Sequence, residues 1–206
     1  MSDPQEPRPA AEEDQAQEIP EILPVLPLRD TVVFPDTMIP LTIGQERSIK
    51  LIDDVLAGDR LLAMVASKDA EVETPGPDLL YPVGTVGLAH KMIKLPDGTM
   101  RILVQGLQRV RVAEFVREEP YLMARIEKIE DEARESREVD ALRASLLSVF
   151  GKIVALVSYL PEELEMAAAN VEEPGPLTFL IASTMRIKAE DKQELLGLIE
   201  DYRHGL

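Results

Sequence analysis

The sequence predicts an α+β fold in which a curled, mainly antiparallel β-sheet with one helix precedes a bundle of α-helices. Between residues 22 and 130, about six short runs rich in Val, Ile and Leu are separated by turn residues, which indicates strands. After residue 130, apolar residues recur at spacings of three and four, the period of helices with one buried face. So many strands in so short a stretch favour a sheet that curls into a small pseudo-barrel.

We expect a disordered acidic tail over residues 1–21, before the first strand. This stretch has low hydrophobicity, several prolines and seven acidic residues against one arginine, a composition that cannot bury a core. Such a tail could bind a partner, but this composition usually marks a solvated segment. The chain after the tail is divided into a β-rich lobe over residues 22–130 and a helical lobe over residues 131–206.

The β-rich lobe is predicted to begin with two short strands, over residues 22–28 and 38–43. Both contain prolines, which donate no ladder hydrogen bond and favour strand edges and starts. An irregular loop through Phe34 joins them. A helix over residues 45–56 follows, because its apolar residues recur at helical spacing, and then a buried strand over residues 60–66, RLLAMVA.

The segment from Val86 to Val112 is predicted to be a hairpin of two long strands. Asp97-Gly98 lies between alternating runs, and this dipeptide favours a two-residue type I′ turn. A two-residue loop fixes the register, and one face of the hairpin then becomes nearly all apolar. The residues predicted on that core face are Ile93, Leu95, Met100, Ile102 and Val104. A last strand over residues 121–129 completes the sheet.

The opposite face of this hairpin carries the candidate binding site. In the predicted register Met92 faces Leu103 on an otherwise polar surface, and Lys94 faces Arg101, a like-charge pair that favours exposure. Methionine adapts to irregular partners, and Phe34 adds an aromatic ring in a proline-flanked loop. The alternative is that a helix of either lobe covers this face, which would make the apolar pair ordinary core.

The helical lobe is predicted to follow a charged boundary at residues 130–135. A first long helix starts near residue 139, and a second begins at Pro161, since proline suits a first helical turn. After a proline-rich break, two further helices are expected over residues 177–185 and 191–202. The buried stripe predicted for the first helix and its end comprises Val139, Leu142, Leu146, Val149, Phe150, Ile153, Val154, Val157 and Leu160.

Composition excludes several classes of protein. The net charge of −16 argues against binding to nucleic acid or to an anionic membrane surface, both of which require a basic face. No apolar run approaches the roughly 20 residues of a membrane span. The N-terminus is acidic, unlike a signal peptide, and the absence of cysteine excludes disulfides and thiolate metal sites. Together these features predict a cytoplasmic protein.

The sequence contains no recognisable catalytic, metal or cofactor site. His90 and His204 lie far apart and lack ligand-spaced partners, so a surface role is the ordinary interpretation of His90. The adjacent carboxylates Asp53-Asp54 point about 100° apart on a helix and cannot act as an acid–base pair. The serines of the first long helix have no neighbouring base.

Three segments in this order resemble the N-terminal region of the ATP-dependent Lon protease family. They are LPVLPLRDTVVFPDTMIPLTIGQERSIKLID, LPDGTMRILVQGLQRVRV and KAEDKQELL, and the match covers Ile22–Ile199. The resemblance implies a PUA-like β lobe followed by a helical lobe. It also implies a non-catalytic module that binds unfolded or damaged polypeptides through shallow hydrophobic patches. For that site we single out Phe34, Met92, Lys94, Arg101 and Leu103.

In the full enzyme this region precedes a long helical region, an ATPase module and a Ser–Lys protease module. The present sequence has no GxxxxGK[ST] phosphate loop, so ATP and Mg are implied only for the full-length protease. The implied partners are protein clients and the ATPase and protease modules, with a homo-oligomer in the full-length context. Two alternatives stay open: an assembly or gating module, and a free-standing relative that binds peptides. Met1 and the acidic tail favour a true N-terminus.

Overall fold

The computed structural model describes residues 18–130 and 136–204. The prediction of a disordered tail therefore lies outside the described residues for positions 1–17, as does most of the charged boundary segment. Before the first strand, Ile19 packs against the core of the sheet and Glu21 is bound to the last strand: the backbone N–H of Ile126 donates to the Glu21 carbonyl at 2.8 Å, and Arg125 contacts the Glu21 carboxylate at 3.2 Å.

The predicted fold class is confirmed, since six strands form one mostly antiparallel sheet and the α-helices of the second half follow it. The strands are β1 (Ile22–Leu28), β2 (Met38–Ile43), β3 (Leu61–Ala66), β4 (Val83–Lys94), β5 (Met100–Arg117) and β6 (Met123–Lys128). The helices are α1 (Glu46–Ala57), α2 (Arg137–Leu156), α3 (Glu163–Ala169), α4 (Pro174–Thr184) and α5 (Ala189–His204). A 3-10 turn covers Pro77–Leu79.

The sheet closes on itself through its longest strand. Its order is β2-β5-β4-β3-β1-β6, and β5 also pairs with β6, so five strands form a closed circuit. The first part of β5 pairs with β2, whereas its later part pairs with β6. Among the strand pairs of the described residues, β1 and β3 alone run parallel. Closure removes free edges from the barrel strands, and within the described residues β2 pairs with β5 alone.

Apolar cores lie on both sides of the sheet. In β3 every residue is buried, with Leu62 and Met64 in one core and Leu61, Ala63 and Val65 in the other. Side chains alternate along a strand, so an unbroken apolar run is what a strand covered on both faces requires. The prediction of a buried strand at this position is confirmed.

Helix α1 covers the first of these cores. Its buried residues Leu51, Ile52 and Val55 recur at helical spacing and pack on the sheet. The Tyr121 hydroxyl, just before β6, donates to Asp54 of α1 at 2.9 Å. Burial, and then the contact with the Asp54 carboxylate, raise the pKa of Tyr121 above its ordinary value. The helix is thus fixed to the sheet by packing and by a polar contact.

The hairpin turn differs from the prediction. The N–H of Leu95 donates to the Thr99 carbonyl at 2.8 Å, and the N–H of Gly98 donates to the Leu95 carbonyl at 3.1 Å. The loop is therefore Pro96-Asp97-Gly98, with Gly98 at φ +85°. This is a type I turn followed by a left-handed residue, the usual three-residue hairpin, and proline suits its first position.

One extra loop residue shifts the register of the whole hairpin tip. Lys94 lies opposite Met100, Ile93 opposite Arg101, and Met92 opposite Ile102. Because successive side chains alternate, the shift moves β4 residues to the other face. Ile93, predicted to be core, is 64% exposed, whereas Met92 packs against the α1-covered core. The core residues of β5 were predicted correctly: Met100, Ile102 and Val104 are buried.

Side-chain contacts fasten the helical lobe to the barrel. Arg109 of β5 is 1% exposed and donates from Nη1 to the Leu196 carbonyl of α5 at 2.8 Å. Buried Gln193 donates to the Val83 carbonyl of β4 at 3.0 Å. The rings of Phe34 and Phe179 stack with centroids 5.8 Å apart. Helices α4 and α5 therefore form the part of the lobe that contacts the sheet.

Two features of the helical prediction need correction. Leu142 and Val149 do not belong to a buried stripe, since they are 64% and 50% exposed, while Phe150 and Val154 are buried. Helix α4 begins at Pro174, within the segment predicted to be a break, because proline is tolerated in a first helical turn. The Ser136 hydroxyl accepts from the N–H of Val139 and caps α2.

Candidate functional site

The candidate site is the outward face of the three strands at the hairpin tip. Residues directly opposite each other in antiparallel strands share a face, so the register defines the rows of this surface. Leu103 lies between Pro40 of β2 and Lys91 of β4, and Arg101 lies between Thr42 and Ile93. We call this surface the hairpin face and define it by Met38, Pro40, Lys91, Ile93, Arg101 and Leu103.

Much of the hairpin face is apolar and open to solvent. Met38 is 53% exposed and Ile93 is 64% exposed, which leaves two large apolar side chains without cover. Pro40 is exposed two residues after Met38 on β2, and its cross-strand partner Leu103 is half-buried in the middle strand. Single exposed apolar residues are common, but neighbours in consecutive rows form a patch, and patches mark interaction surfaces.

The charged side chains of the hairpin face are cations. Lys91 and Arg101 are both exposed, and the rows defined above contain no acidic residue. At the tip, the Asp97 carboxylate accepts from the Thr99 hydroxyl at 2.7 Å and from its N–H at 2.9 Å. These hydrogen bonds, with a smaller contribution from the charge of Arg101, lower the pKa of Asp97. Apolar and basic side chains therefore alternate on the face of a strongly acidic protein.

Beside the hairpin face, His90 contacts Gln105 between Nε2 and Oε1 at 2.9 Å. Within residues 18–130 and 136–204, no three His, Asp or Glu side chains are grouped so that they could hold a metal ion. The same described residues include no helix that is long and apolar enough to cross a membrane. The hairpin face is an open sheet surface of exposed apolar and basic side chains.

Comparison with known proteins supplies the family. Residues 22–200 match the family model described as the ATP-dependent protease La (LON) substrate-binding domain. The chain belongs to this family. The resemblance inferred from the three sequence segments is confirmed.

Similar proteins span much more sequence than this LON substrate-binding domain. A Lon protease of Dictyoglomus thermophilum is 44% identical over 91% of this chain, which spans 24% of that relative. A Lon protease of Trichlorobacter lovleyi is 42% identical over 96% of this chain, again with 24% of the relative covered. This chain therefore spans about a quarter of the length of these curated relatives.

The N-terminal domain of a Lon protease of the Mycobacterium avium complex has the same fold. It aligns with a TM-score of 0.53 at 19% sequence identity and covers 79% of this chain and 97% of that one. At this level of identity the similarity shows the fold alone.

Three of the five residues singled out from the sequence lie away from the hairpin face, and two of these, Phe34 and Met92, pack against the interior. Phe34 is fully buried, because its ring stacks on Phe179 of α4. Met92 does not face Leu103: it lies opposite Ile102 and packs against the α1-covered core. Neither side chain is presented to a client by this conformation of the LON substrate-binding domain.

Of the other three, Arg101 and Leu103 lie on the hairpin face and Lys94 does not. Lys94 contacts Asp53 of α1 at 3.2 Å, so it lies on the opposite side of the strand from Arg101, and the predicted like-charge pair does not exist. Sequence reasoning missed Met38, Pro40, Lys91 and Ile93. Pro96 was the available signal, because a proline before Asp-Gly favours the three-residue turn that turns Ile93 outward.

A second exposed apolar surface lies on α2. Leu142, Val149 and Leu156 are 64%, 50% and 85% exposed and are spaced seven residues apart. Residues at this spacing lie along one line of a helix, the pattern by which two helices pack on each other. We call these three residues the α2 stripe.

Proposed function

We propose that this LON substrate-binding domain binds unfolded or damaged polypeptides on the hairpin face and presents them to the ATPase and protease modules of a Lon-type protease. The observation that carries the proposal is the apolar patch of Met38, Pro40, Ile93 and Leu103 on an open sheet face. Unfolded chains expose apolar side chains in no fixed order. A shallow patch of methionine and aliphatic residues can accept many such sequences.

Clients are proposed to contact the face of the sheet and not its edge. A client could in principle extend the sheet by pairing with the free side of β2. Pro40 lies in the middle of β2 and pairs with Leu103, so its nitrogen, which carries no hydrogen, is directed toward the free side. Proline on an edge strand opposes pairing with further strands. Recognition through side chains on the face avoids this obstacle.

The double substitution Met38→Ser and Ile93→Ser is expected to weaken client binding about tenfold or more, because each replaced side chain loses partial burial worth roughly 1 kcal/mol. Both residues are exposed, so the fold should be retained. The measurement is fluorescence anisotropy, with a labelled destabilised protein that is unfolded at the assay temperature titrated with parent or variant.

The matched control is Leu142→Ser, which removes an equally exposed apolar side chain from α2. We expect this control to bind the client as the parent does. A folded Met38→Ser, Ile93→Ser variant with parental affinity would show that clients bind elsewhere. Client binding on the hairpin face can be measured with this domain alone, whereas presentation to the catalytic modules requires a domain that is attached to them.

The α2 stripe favours a second function, in which the domain helps to set the oligomer geometry of the protease. A heptad-spaced apolar line on a helix suits pairing with another helix, and the middle of α2 is almost uncharged. Under this alternative the parent chain associates with itself, so its average mass in analytical ultracentrifugation rises with protein concentration. Leu156→Glu is then expected to abolish the association, whereas Met38→Ser leaves it intact. A parent that stays monomeric at all concentrations would contradict an assembly role for the isolated domain.

A further inference from the structure

We propose that the hairpin face selects client segments in which acidic residues flank the apolar ones. The inference rests on the proposed function and narrows it to a class of polypeptide segment. It is carried by the position of the two cations, which lie within the apolar rows rather than at a distance from them.

Each cation of the hairpin face is the direct cross-strand neighbour of an aliphatic side chain. Lys91 lies opposite Leu103, and Arg101 lies opposite Ile93. Side chains in such pairs are about 5 Å apart at Cβ. A segment whose apolar side chain contacts Ile93 or Leu103 therefore brings its neighbouring residues within reach of a lysine or an arginine. A carboxylate there gains an ion pair, and a second cation meets repulsion.

The acidic residues of the adjoining segments lie outside the rows that contain these two cations. Asp53 contacts Lys94, on the α1 side of the strand. Asp97 is held at the tip by Thr99, and although it lies close enough to Arg101 to feel its charge, its carboxylate is directed into the turn. Asp36 precedes β2 by two residues and is exposed beyond the end of that strand.

The local basic character matters because the rest of the molecule is acidic. With a net charge of −16, the protein as a whole repels acidic segments. The field of distant charges is screened within about 8 Å at physiological salt, so the cations in contact with a bound segment decide the sign of the interaction. The hairpin face therefore attracts acidic segments, which the rest of the protein surface repels.

The test uses three synthetic peptides with the same apolar residues, flanked by glutamate, glutamine or lysine. We expect the glutamate peptide to bind the full chain about fivefold more tightly than the glutamine peptide, as two exposed ion pairs allow. The lysine peptide should bind most weakly. At about 1 M salt, where screening acts over roughly 3 Å, the three affinities should converge.

A charge-neutralised variant, Lys91→Gln with Arg101→Gln, should bind the glutamate and glutamine peptides with equal affinity. Its matched control is Lys128→Gln with Lys152→Gln, two exposed cations of β6 and α2, which should keep the fivefold preference. Equal binding of all three peptides to the parent at low salt overturns the charge preference alone. If neither the glutamine peptide nor an unfolded protein binds the parent, the proposed function itself is overturned.

Discussion

Replacement of Arg109 by alanine is expected to lower the free energy of unfolding by about 3 kcal/mol, one of the two largest single-residue effects we anticipate for this domain. Arg109 is 1% exposed, and its guanidinium donates to the Leu196 carbonyl at 2.8 Å and lies 5.6 Å from the ring centroid of Phe179. The variant loses a charge-assisted hydrogen bond and a cation–π contact. It also leaves a buried carbonyl with one partner fewer.

The effect of this substitution should appear first at the junction of the lobes. Leu196 belongs to α5 and Phe179 to α4, so one β5 side chain holds two helices. Urea unfolding followed by circular dichroism gives the change in free energy. Hydrogen exchange should show that protection falls in α4 and α5 before it falls in the barrel.

An exposed arginine provides the control for this experiment. Arg125 of β6 contacts Glu21 at 3.2 Å on the surface, and Arg125→Ala should change stability by less than about 1 kcal/mol. If Arg109→Ala unfolds at the urea concentration of the parent, the junction does not depend on the buried guanidinium, and the packing of Phe34 on Phe179 and the Gln193 hydrogen bond to Val83 suffice to hold it.

The order and type of most elements could be predicted from the sequence because their signals are local. The apolar runs of β1 and β2, the helical spacing of α1 and the unbroken run of β3 each predicted the element that is present. These patterns depend on which faces of an element are buried, and a strand or helix shows that in its own residues.

The site was predicted less well because it depends on a single loop residue. Asp97-Gly98 correctly indicated a hairpin, but Pro96 belongs to the turn and not to the strand. A one-residue shift exchanges the two faces of a strand, so Ile93 replaced Met92 on the outer surface. The incorrect turn type therefore led to an incorrect set of predicted surface residues.

Burial that depends on distant parts of the chain left no local signal. Phe34 is covered by Phe179, which follows it far along the sequence, and nothing in the loop residues indicates that partner. In α2 two adjacent apolar lines compete for burial, and the packing of α3 and α4 decides that Phe150 is inside and Val149 outside. Periodicity identifies an apolar line but not its partner.

Replacement of Gly106 by alanine is expected to cost about 3 kcal/mol or to prevent folding, because an added methyl group has no space. Gly106 lies in β5 where the loop before β2 crosses it. A Cβ at this position would overlap the carbonyl oxygen of Phe34 and lie 2.9 Å from its carbonyl carbon. The N–H of Gly106 donates to Thr37, and its carbonyl accepts from Asp36, so two hydrogen bonds hold the backbones together. Chemical unfolding measures the cost.

Gly76→Ala is the matched control, since a Cβ there has no atom within 4 Å and φ is −80°. We expect it to change stability by less than about 1 kcal/mol, with a small gain from the reduced freedom of the unfolded chain. Parental stability of Gly106→Ala would contradict the prediction, because it would mean that the two backbones can move apart to hold a methyl group without losing the burial of Phe34 or the two hydrogen bonds.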